Sequence, residues 1–349
     1  MGVNLRDIIP EKAVEQVNMS FFQGKALAID AYNALYQFLS IIRQPDGTPL
    51  KDSLGRITSH LSGLFYRTVN FIELGIKPVY VFDGTPPEIK EIEIMRRKKL
   101  KEEAAIKYEE ALKRGDLEAA RIYAQQTAKL TEDMVNDAKR LLNALGVPWV
   151  QAPSEGEAQA AYMAQKGDVW AAVSQDYDSL LFGAPRLVRN LTISGRRKLP
   201  RKNVYIEITP EVIYLDRVLS GLNISREQLV DVAILIGTDY NPEGIKGVGP
   251  KTALRLIKMH GSLEKALREL RGATFPVEPS AIKEVFLKPQ VSEDYKLEWR
   301  KPNEEEVMTI LCREHDFSVE RVKKALDRAL KAFEEQRKQV SLERWFKMR

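Results

Sequence analysis

Asp176 and Asp178 stand two residues apart, just past the apolar run Trp170-Ala171-Ala172-Val173. Such a short apolar run suits a buried strand. Asp30 closes a similar run, Ala28-Ile29, and Asp83 follows Val79-Tyr80-Val81-Phe82. Glu155 and Glu157 lie in Pro153-Ser154-Glu155-Gly156-Glu157, which opens a helix after a strand at Val147 to Gln151. Asp239 follows Gly237-Thr238 at the end of a helix. In an open parallel sheet, ligands bind outside the carboxyl ends of the strands. Carboxylates gathered there repel one another unless a cation sits among them. Each acid alone has an ordinary explanation: Ser154-x-x-Glu157 spells a capping box, and the aspartates suit turns. Structural turns have no reason to converge on one edge, so the set points to a metal site. Two divalent ions about 4 Å apart clamp an in-line phosphoryl displacement, and such a site needs several shared carboxylates. His60, His260 and His315 are far apart in sequence and Cys312 is the single cysteine, which argues against a zinc site of Cys and His. Oxygen ligands point instead to Mg²⁺ or Mn²⁺.

The elements that must position these acids follow a β-α-β order, hence a parallel sheet. Residues 26–30 read as a first strand, Thr58 to Leu74 as an amphipathic helix closed by Gly75, and Pro78 to Phe82 as the next strand. After Gly84-Thr85-Pro86-Pro87 the pattern from Glu88 to about Lys129 is helical but charge-dense, with Arg96, Arg97, Lys98, Lys99 and Lys101 clustered in it. Few large apolar residues are available there to bury. The segment reads either as a solvated helix pair or as an insertion that meets a polyanion. A helix over Asp133 to Leu145 and a strand over Val169 to Val173 complete the core pattern.

Basic residues gather in three places. Between Arg186 and Lys202 there are seven basic residues and no acid, with Arg196, Arg197 and Lys198 beside Gly195, which is expected to turn a hairpin. Such a run favours phosphate contact. Ser225 with Gln228 is a capping box for a helix ending at Gly237. Gly244-Ile245-Lys246-Gly247-Val248-Gly249-Pro250-Lys251-Thr252 then leads into another helix, with Pro250 in its first turn. As a Walker A loop it fails, because Pro250 separates Gly249 from Lys251. As a glycine hairpin between helices, Gly247 and Gly249 offer backbone N–H groups to a DNA phosphate, flanked by Lys246 and Lys251.

Composition sets outer bounds. With 349 residues, 44% of them hydrophobic, the chain can bury a sizeable core. No run of apolar residues is long enough to span a membrane. The N-terminus lacks the form of a signal peptide, and one cysteine allows no internal disulfide, so an intracellular place is expected. A net charge of +5 is a mild pointer to nucleic acid.

These motifs resemble those of the flap endonucleases, the structure-specific 5′ nucleases of DNA replication and repair, in an archaeal-like form. The resemblance is carried by Ile29-Asp30-Ala31, Val81-Phe82-Asp83-Gly84-Thr85-Pro86-Pro87, Ala152-Pro153-Ser154-Glu155-Gly156-Glu157-Ala158, Gln175-Asp176-Tyr177-Asp178, and Gly237-Thr238-Asp239-Tyr240 with the glycine hairpin. It runs over nearly the whole chain, and all seven acids match the family's metal ligands. It implies that Lys90 and Arg97 are the basic pair at the base of a helical arch over about 88–130, stabilising charge on the scissile phosphate, and that Asp178 is catalytic as a metal ligand. It implies that Tyr36 packs on a nucleotide, where the residue alone would read as a core aromatic. Thr58 would lie near a 3′-flap pocket. With Met1 removed, Gly2 would become the N-terminus near the active site. The helix–turn–helix over about 225–260 would bind duplex DNA and hold a K⁺ ion.

The last stretch, from Gln336 to Arg349, reads as a tail. Gln339, Leu342, Trp345 and Phe346 have the spacing of a peptide that docks on a sliding clamp, with three apolar groups on one side of a single turn. The expected protein has an α/β core, a mostly parallel sheet flanked by helices, over 1–335, with the arch inserted and the clamp peptide at 339–346. It is expected to be a monomer, to bind two Mg²⁺ or Mn²⁺ ions, and to cut the 5′ flap of branched DNA. It is also expected to act as a 5′–3′ exonuclease, in the cytoplasm of an archaeal-like cell or in a eukaryotic nucleus. The rival readings are a sibling 5′ exonuclease or bubble-cutting repair nuclease, and a non-catalytic DNA-binding protein on the clamp.

Overall fold

The computed structural model describes residues 2–44, 46–193, 195–198, 205–270 and 274–347; side chains at 117, 121, 196–198, 205, 206 and 339–347 lie outside the description. Its strands are β1 (Val14–Gln16), β2 (Ala26–Asp30), β3 (Lys77–Phe82), β4 (Trp149–Gln151), β5 (Ala171–Val173), β6 (Arg186–Arg189), β7 (Gly195–Lys198), β8 (Tyr205–Ile208) and β9 (Glu211–Tyr214). Seven of them form one sheet in the order β1-β9-β6-β5-β2-β3-β4, and β7 and β8 pair separately as a two-stranded sheet. The pairs from β6 through β4 are parallel, while β9 runs antiparallel to both β6 and β1. The chain therefore has the mostly parallel α/β sheet expected of it. β1 precedes the expected first strand. Three residues at a sheet edge are too few to declare a period of two.

Alternation along the strands builds two core layers. Ala28, Val79, Val81 and Ala172 pack into one layer, and Leu27, Ile29, Tyr80, Phe82, Ala171 and Val173 into the other. A strand buried on both faces reads as a continuous apolar run, which is why β2, β3 and β5 are visible in the sequence.

The first helices are α1 (Ala31–Ile41), α2 (Ser59–Glu73), α3 (Glu91–Lys113), α4 (Leu117–Gln126), α5 (Glu132–Ala144) and α6 (Gly156–Lys166). They are followed by α7 (Asp178–Leu181), α8 (Leu215–Leu222), α9 (Arg226–Ile236) and α10 (Pro250–His260). α2 buries Leu61, Leu64, Phe65, Val69 and Ile72, the face its spacing predicts. In α3, by contrast, 23 residues bury only Glu93, Ala104 and Ala111, so this helix is not held by a core of its own. Ile92, Ile94, Met95, Leu100 and Ile106 on it are exposed.

Three local expectations are corrected. The N-cap of α6 is Glu155 with no side-chain cap bond, so Ser154 and Glu157 do not form a capping box and Glu157 is left for other work. Gly195 does not turn the β7–β8 hairpin but starts β7; Lys198 pairs with Tyr205, and the turn between them lies outside the described residues. The stretch from Gln336 is not a loose tail, since one helix runs from Val319 to Lys347 and the Gln336 amide donates to Ile72 O at 2.8 Å. The capping box at Ser225 and Gln228 is present as expected, and so is Pro250 in the first turn of α10.

Candidate active site

Five adjacent parallel strands, β6-β5-β2-β3-β4, share one carboxyl edge, and six of the seven acids arrive there from β2, β3, β4 and β5. Asp30 is the last residue of β2 and the N-cap of α1, where its Oδ1 accepts the Asn33 N–H at 2.9 Å. Asp83 follows β3, and its Oδ1 accepts the Gly156 N–H at 2.6 Å, which ties β3 to the start of α6. Glu155 and Glu157 open α6 beyond β4. Asp176 and Asp178 follow β5, and Asp178 is the first residue of α7. Asp239 comes from elsewhere, past the C-terminus of α9. Its neighbour Thr238 is locked by Asn241, whose Oδ1 accepts both the Thr238 N–H and its hydroxyl.

One side of this cluster is neutralised by the chain itself. Lys90, at the N-cap of α3, donates to Glu155 Oε2 at 2.7 Å and lies 3.3 Å from Asp239 Oδ2. Arg97, two turns along α3, donates to both Asp239 oxygens at 2.7 Å. Burial raises the Asp239 pKa, but the Lys90 and Arg97 charges outweigh it and hold this carboxyl below its usual range. Burial also opposes the charge on Lys90, yet Glu155 and Asp239 more than offset it, so the ammonium stays protonated.

Among the described residues no cation forms an ion pair with the other side; the Lys90 charge reaches Asp30, Asp83 and Asp178 but does not offset their burial. Burial pushes Asp83 up to about 6, with Glu155 adding to it. Burial, then Asp239 and Asp176, push Asp178 up to about 7. Asp30 and Glu157 are raised well above the carboxylate range by burial, and by Asp83 and Asp178 respectively. Buried acids in this condition lack a cation. Among the described residues Glu155 Oε1 is buried without a hydrogen-bond partner, an oxygen left for a ligand. Among the described residues no three acids are closed to the spacing of a metal cage. The donors are all hard oxygens, which suit Mg²⁺ or Mn²⁺.

The N-terminus packs on the same cluster. The Val3 N–H donates to Asp178 Oδ1 at 2.8 Å, and a Cβ on Gly2 would fall 2.4 Å from that oxygen, so a larger residue there would have to displace the Asp178 carboxylate. Tyr36 is half-buried on α1, with Lys101 of α3 4.6 Å from its ring centre, so it lies between the body and the helix pair. Thr58 is buried in front of α2, its N–H donating to Leu50 O, away from the acids. Lys246, Gly247, Gly249 and Lys251 are exposed around the start of α10. The side chains of Arg196, Arg197, Lys198, Gln339, Leu342, Trp345 and Phe346 lie outside the described residues.

Two residues escape a reading of motifs. Glu93 is buried at 1% exposure and accepts from Arg96 at 2.6 Å and from Arg97 at 2.7 Å, which aims Arg97 at Asp239. Its signal is the i,i+3 and i,i+4 spacing to those arginines, hidden inside a run of charges. Asn33 donates its side-chain amide to Asp176 Oδ2 at 3.3 Å, and a lone Asn in a helix carries no motif.

Comparison with known proteins identifies the family. Residues 1–104 match the XPG N-terminal domain and residues 146–239 the XPG I-region. The chain is 63% identical to flap endonuclease 1 of Staphylothermus marinus, over 99% of this chain and 100% of that one. It is also 63% identical to flap endonuclease 1 of Hyperthermus butylicus, with the same coverage. The solved flap endonuclease-1 of Methanococcus jannaschii superposes with a TM-score of 0.75 at 44% identity, over 96% of this chain and 100% of that one. The catalytic core of Rad2 bound to a DNA substrate shares the fold, with a TM-score of 0.70 at 23% identity, over 94% of this chain and 100% of that one. With its acids delivered to one sheet edge and its whole length matched, the chain belongs to the flap endonuclease family of structure-specific nucleases.

Proposed function

We propose that the protein cuts branched DNA at the base of a 5′ flap, in replication and repair, with Mg²⁺ ions held by Asp30, Asp83, Glu155, Glu157, Asp176, Asp178 and Asp239. The family uses divalent metals; the choice of Mg²⁺, with Mn²⁺ as substitute, and the number of two ions rest on the count and hardness of the oxygen donors. The observation that carries the reading is the buried, unneutralised set Asp30, Asp83, Glu157 and Asp178 at the carboxyl edge of the sheet. A divalent cation bound there supplies an activated water and steadies the leaving oxygen.

The chain's own residues do the rest. Lys90 and Arg97 already point at the acids from the foot of the helix pair, and a scissile phosphate arriving there meets both cations. The helix pair serves as the arch, with Tyr36 at its inner side for a nucleotide to pack on. At the glycine hairpin, a Cβ on Gly249 would meet nothing within 4 Å, and the residue has an ordinary φ of −86°. Nothing inside the protein asks for glycine there, whereas a phosphate backbone approaching Lys246, Gly247, Gly249 and Lys251 would. The same element is the place for a K⁺ ion. The β7–β8 hairpin with Arg196, Arg197 and Lys198 adds phosphate contacts, and Thr58 serves a 3′ flap. The peptide Gln339-Val340-Ser341-Leu342-Glu343-Arg344-Trp345-Phe346 docks on a sliding clamp as one monomer per site. Deleting residues after Lys338 should abolish clamp stimulation and leave basal cleavage; a loss of folding instead removes this assignment. No helix among the described residues is long and apolar enough to cross a membrane.

The test is a labelled 5′-flap duplex incubated with and without Mg²⁺, beside Asp178→Ala. Cleavage near the junction that needs Mg²⁺ and vanishes in the variant, with binding kept, supports the reading. Binding without cleavage by the parent protein points to a clamp-associated DNA-binding module. Cleavage without junction preference keeps the metal site and discards the flap.

A further inference from the structure

We infer that Asn33 is a positioning residue for the metal site, and that it heads a one-way amide relay that sets the direction of the Asp176 carboxylate. Asn33 touches acids from two adjacent strands with two separate amide groups. Its backbone N–H caps Asp30 Oδ1 at 2.9 Å, beyond β2, and its side-chain Nδ2 donates to Asp176 Oδ2 at 3.3 Å, beyond β5. Behind it, Asn33 Oδ1 accepts from Gln37 Nε2 at 2.8 Å, one helical turn along α1. Gln37 Oε1 in turn accepts from the Thr192 hydroxyl at 2.6 Å. Thr192 is buried, three residues before β7.

The direction of this chain is fixed at its Asp176 end. A carboxylate only accepts, so Asn33 Nδ2 must face it and Asn33 Oδ1 must face Gln37. Gln37 then turns its NH₂ to Asn33 and its oxygen to Thr192, whose hydroxyl, able to donate or accept, donates. Flipping the Asn33 amide would break both of its side-chain bonds. Asp176 is held from its backbone as well, since its N–H donates to Ser174 Oγ at 3.2 Å and Arg189 Nε donates to Gln175 O at 3.1 Å.

The neutrality of the donor matters. Lys90 and Arg97 orient Glu155 and Asp239, but each brings a charge that competes with a metal for the same oxygens. Asn33 orients one oxygen of Asp176 and leaves its negative charge for the ion. Outer partners of this kind typically change metal affinity by about 10- to 100-fold when removed.

This inference rests on the reading of the acids as a metal site, so the experiment separates the two. The full chain without DNA is titrated with MgCl₂, and its melting temperature is followed from EDTA to saturation; flap cleavage is measured across the same range. The parent should melt higher as Mg²⁺ is added, and Asp178→Ala should lose most of that rise. A parent that shows no rise overturns the metal reading itself. Asn33→Leu, close to Asn in size but without the amide, should move the Mg²⁺ midpoint up about tenfold, with melting in EDTA near that of the parent. Its cleavage rate at saturating Mg²⁺ should approach the parent's, so the loss lies in metal affinity and not in turnover. Gln37→Leu should move the midpoint less, and Thr192→Val least. If the parent responds but Asn33→Leu keeps the parent's midpoint, Asn33 has no such role. A variant that melts lower in EDTA while its midpoint stays put overturns the role in the same way. Should Asn33→Leu fail to fold, Asn33→Ala carries the same two outcomes.

Discussion

The two halves of the acid cluster are built from the same residue types and lie in one crevice, yet their charges are settled in opposite ways. Glu155 and Asp239 face Lys90 and Arg97 from the helix pair, and Asp239 is held as a carboxylate below its usual range. Asp30, Asp83, Glu157 and Asp178 are raised above the carboxylate range by burial and by neighbouring acids, Glu155 and Asp239 among them. The first half is stable without an ion. Ionising the second half at neutral pH is unfavourable, and a cation bound there would relieve that cost. The fold can tolerate it because the acids sit at strand ends, where the core on either side of β2, β3 and β5 is already complete.

Removing one acid from each half should give the widest separation. Asp178→Asn and Asp239→Asn should both lower flap cleavage by roughly a thousandfold, the equivalent of about 4 kcal/mol in the barrier. Their metal-free stabilities should move in opposite directions. Asp178→Asn removes an acid that resists ionising, so it should melt above the parent in EDTA at pH 7. Asp239→Asn strips Arg97 and Lys90 of a shared partner and should melt below it. Melting curves that shift the same way would erase the contrast between the halves.

The next effect lies with the cations. Arg97→Ala should reduce cleavage by roughly a hundredfold at saturating Mg²⁺, as expected when one charge-stabilising donor is lost. It should also free Asp239, so the Mg²⁺ midpoint for melting should fall or hold, not rise. A rise in that midpoint would mean that Arg97 supports the metal site rather than competing with it.

A pH series without metal reads the same contrast from its electrostatics. The four unneutralised acids have folded-state pKa values above their unfolded ones. Their contribution to stability is therefore fully present below about 3.8 and is lost as pH rises through about 6 for Asp83 and about 7 for Asp178. Asp83 alone accounts for roughly 3 kcal/mol of that loss. Asp239 works the other way: its depressed value stabilises above the ordinary range and is lost as pH falls. In EDTA the melting temperature should drop between pH 4 and 8, and Mg²⁺ should flatten the drop. A parent whose melting is level across that range with and without Mg²⁺ would sink the idea of stored charge.

Asp30, Asp83, Asp176 and Asp178 are legible because they follow short apolar runs, and a strand buried on both faces cannot hide such a run. The carboxyl edge follows from β-α-β order alone. The split of the cluster into two halves is not legible. It depends on α3 folding back over the sheet, and α3 buries too little to announce a face. Lys90 and Arg97 stand out through the family resemblance, but their seven-residue spacing says nothing of Glu155 or Asp239. β1 and the course of the β7–β8 hairpin stay hidden because three or four residues of strand carry no clear period. Asn33 stays hidden for a different reason: its work depends on Asp176, which is distant in sequence.

The smallest effect tests how the neutralised half is aimed. Glu93 is buried between Arg96 and Arg97, and both arginines hold its carboxyl below the usual range against the cost of burial. It acts on the acids through the two arginines it holds, Arg97 by direct hydrogen bonds to Asp239 and Arg96 by its charge. Glu93→Gln keeps the shape and one acceptor but loses the charge that draws Arg97 down. Arg97 then has Asp239 as its main anchor, and should hold it more tightly in the metal-free protein. Cleavage should fall only a few-fold at saturating Mg²⁺, about 1 kcal/mol in the barrier, while the Mg²⁺ midpoint rises. In Glu93→Gln combined with Arg97→Ala the midpoint should return to that of Arg97→Ala alone, because Arg97 is the arginine hydrogen-bonded to Asp239. A midpoint that stays raised in the double variant would mean that Glu93 acts through Arg96 and its charge instead.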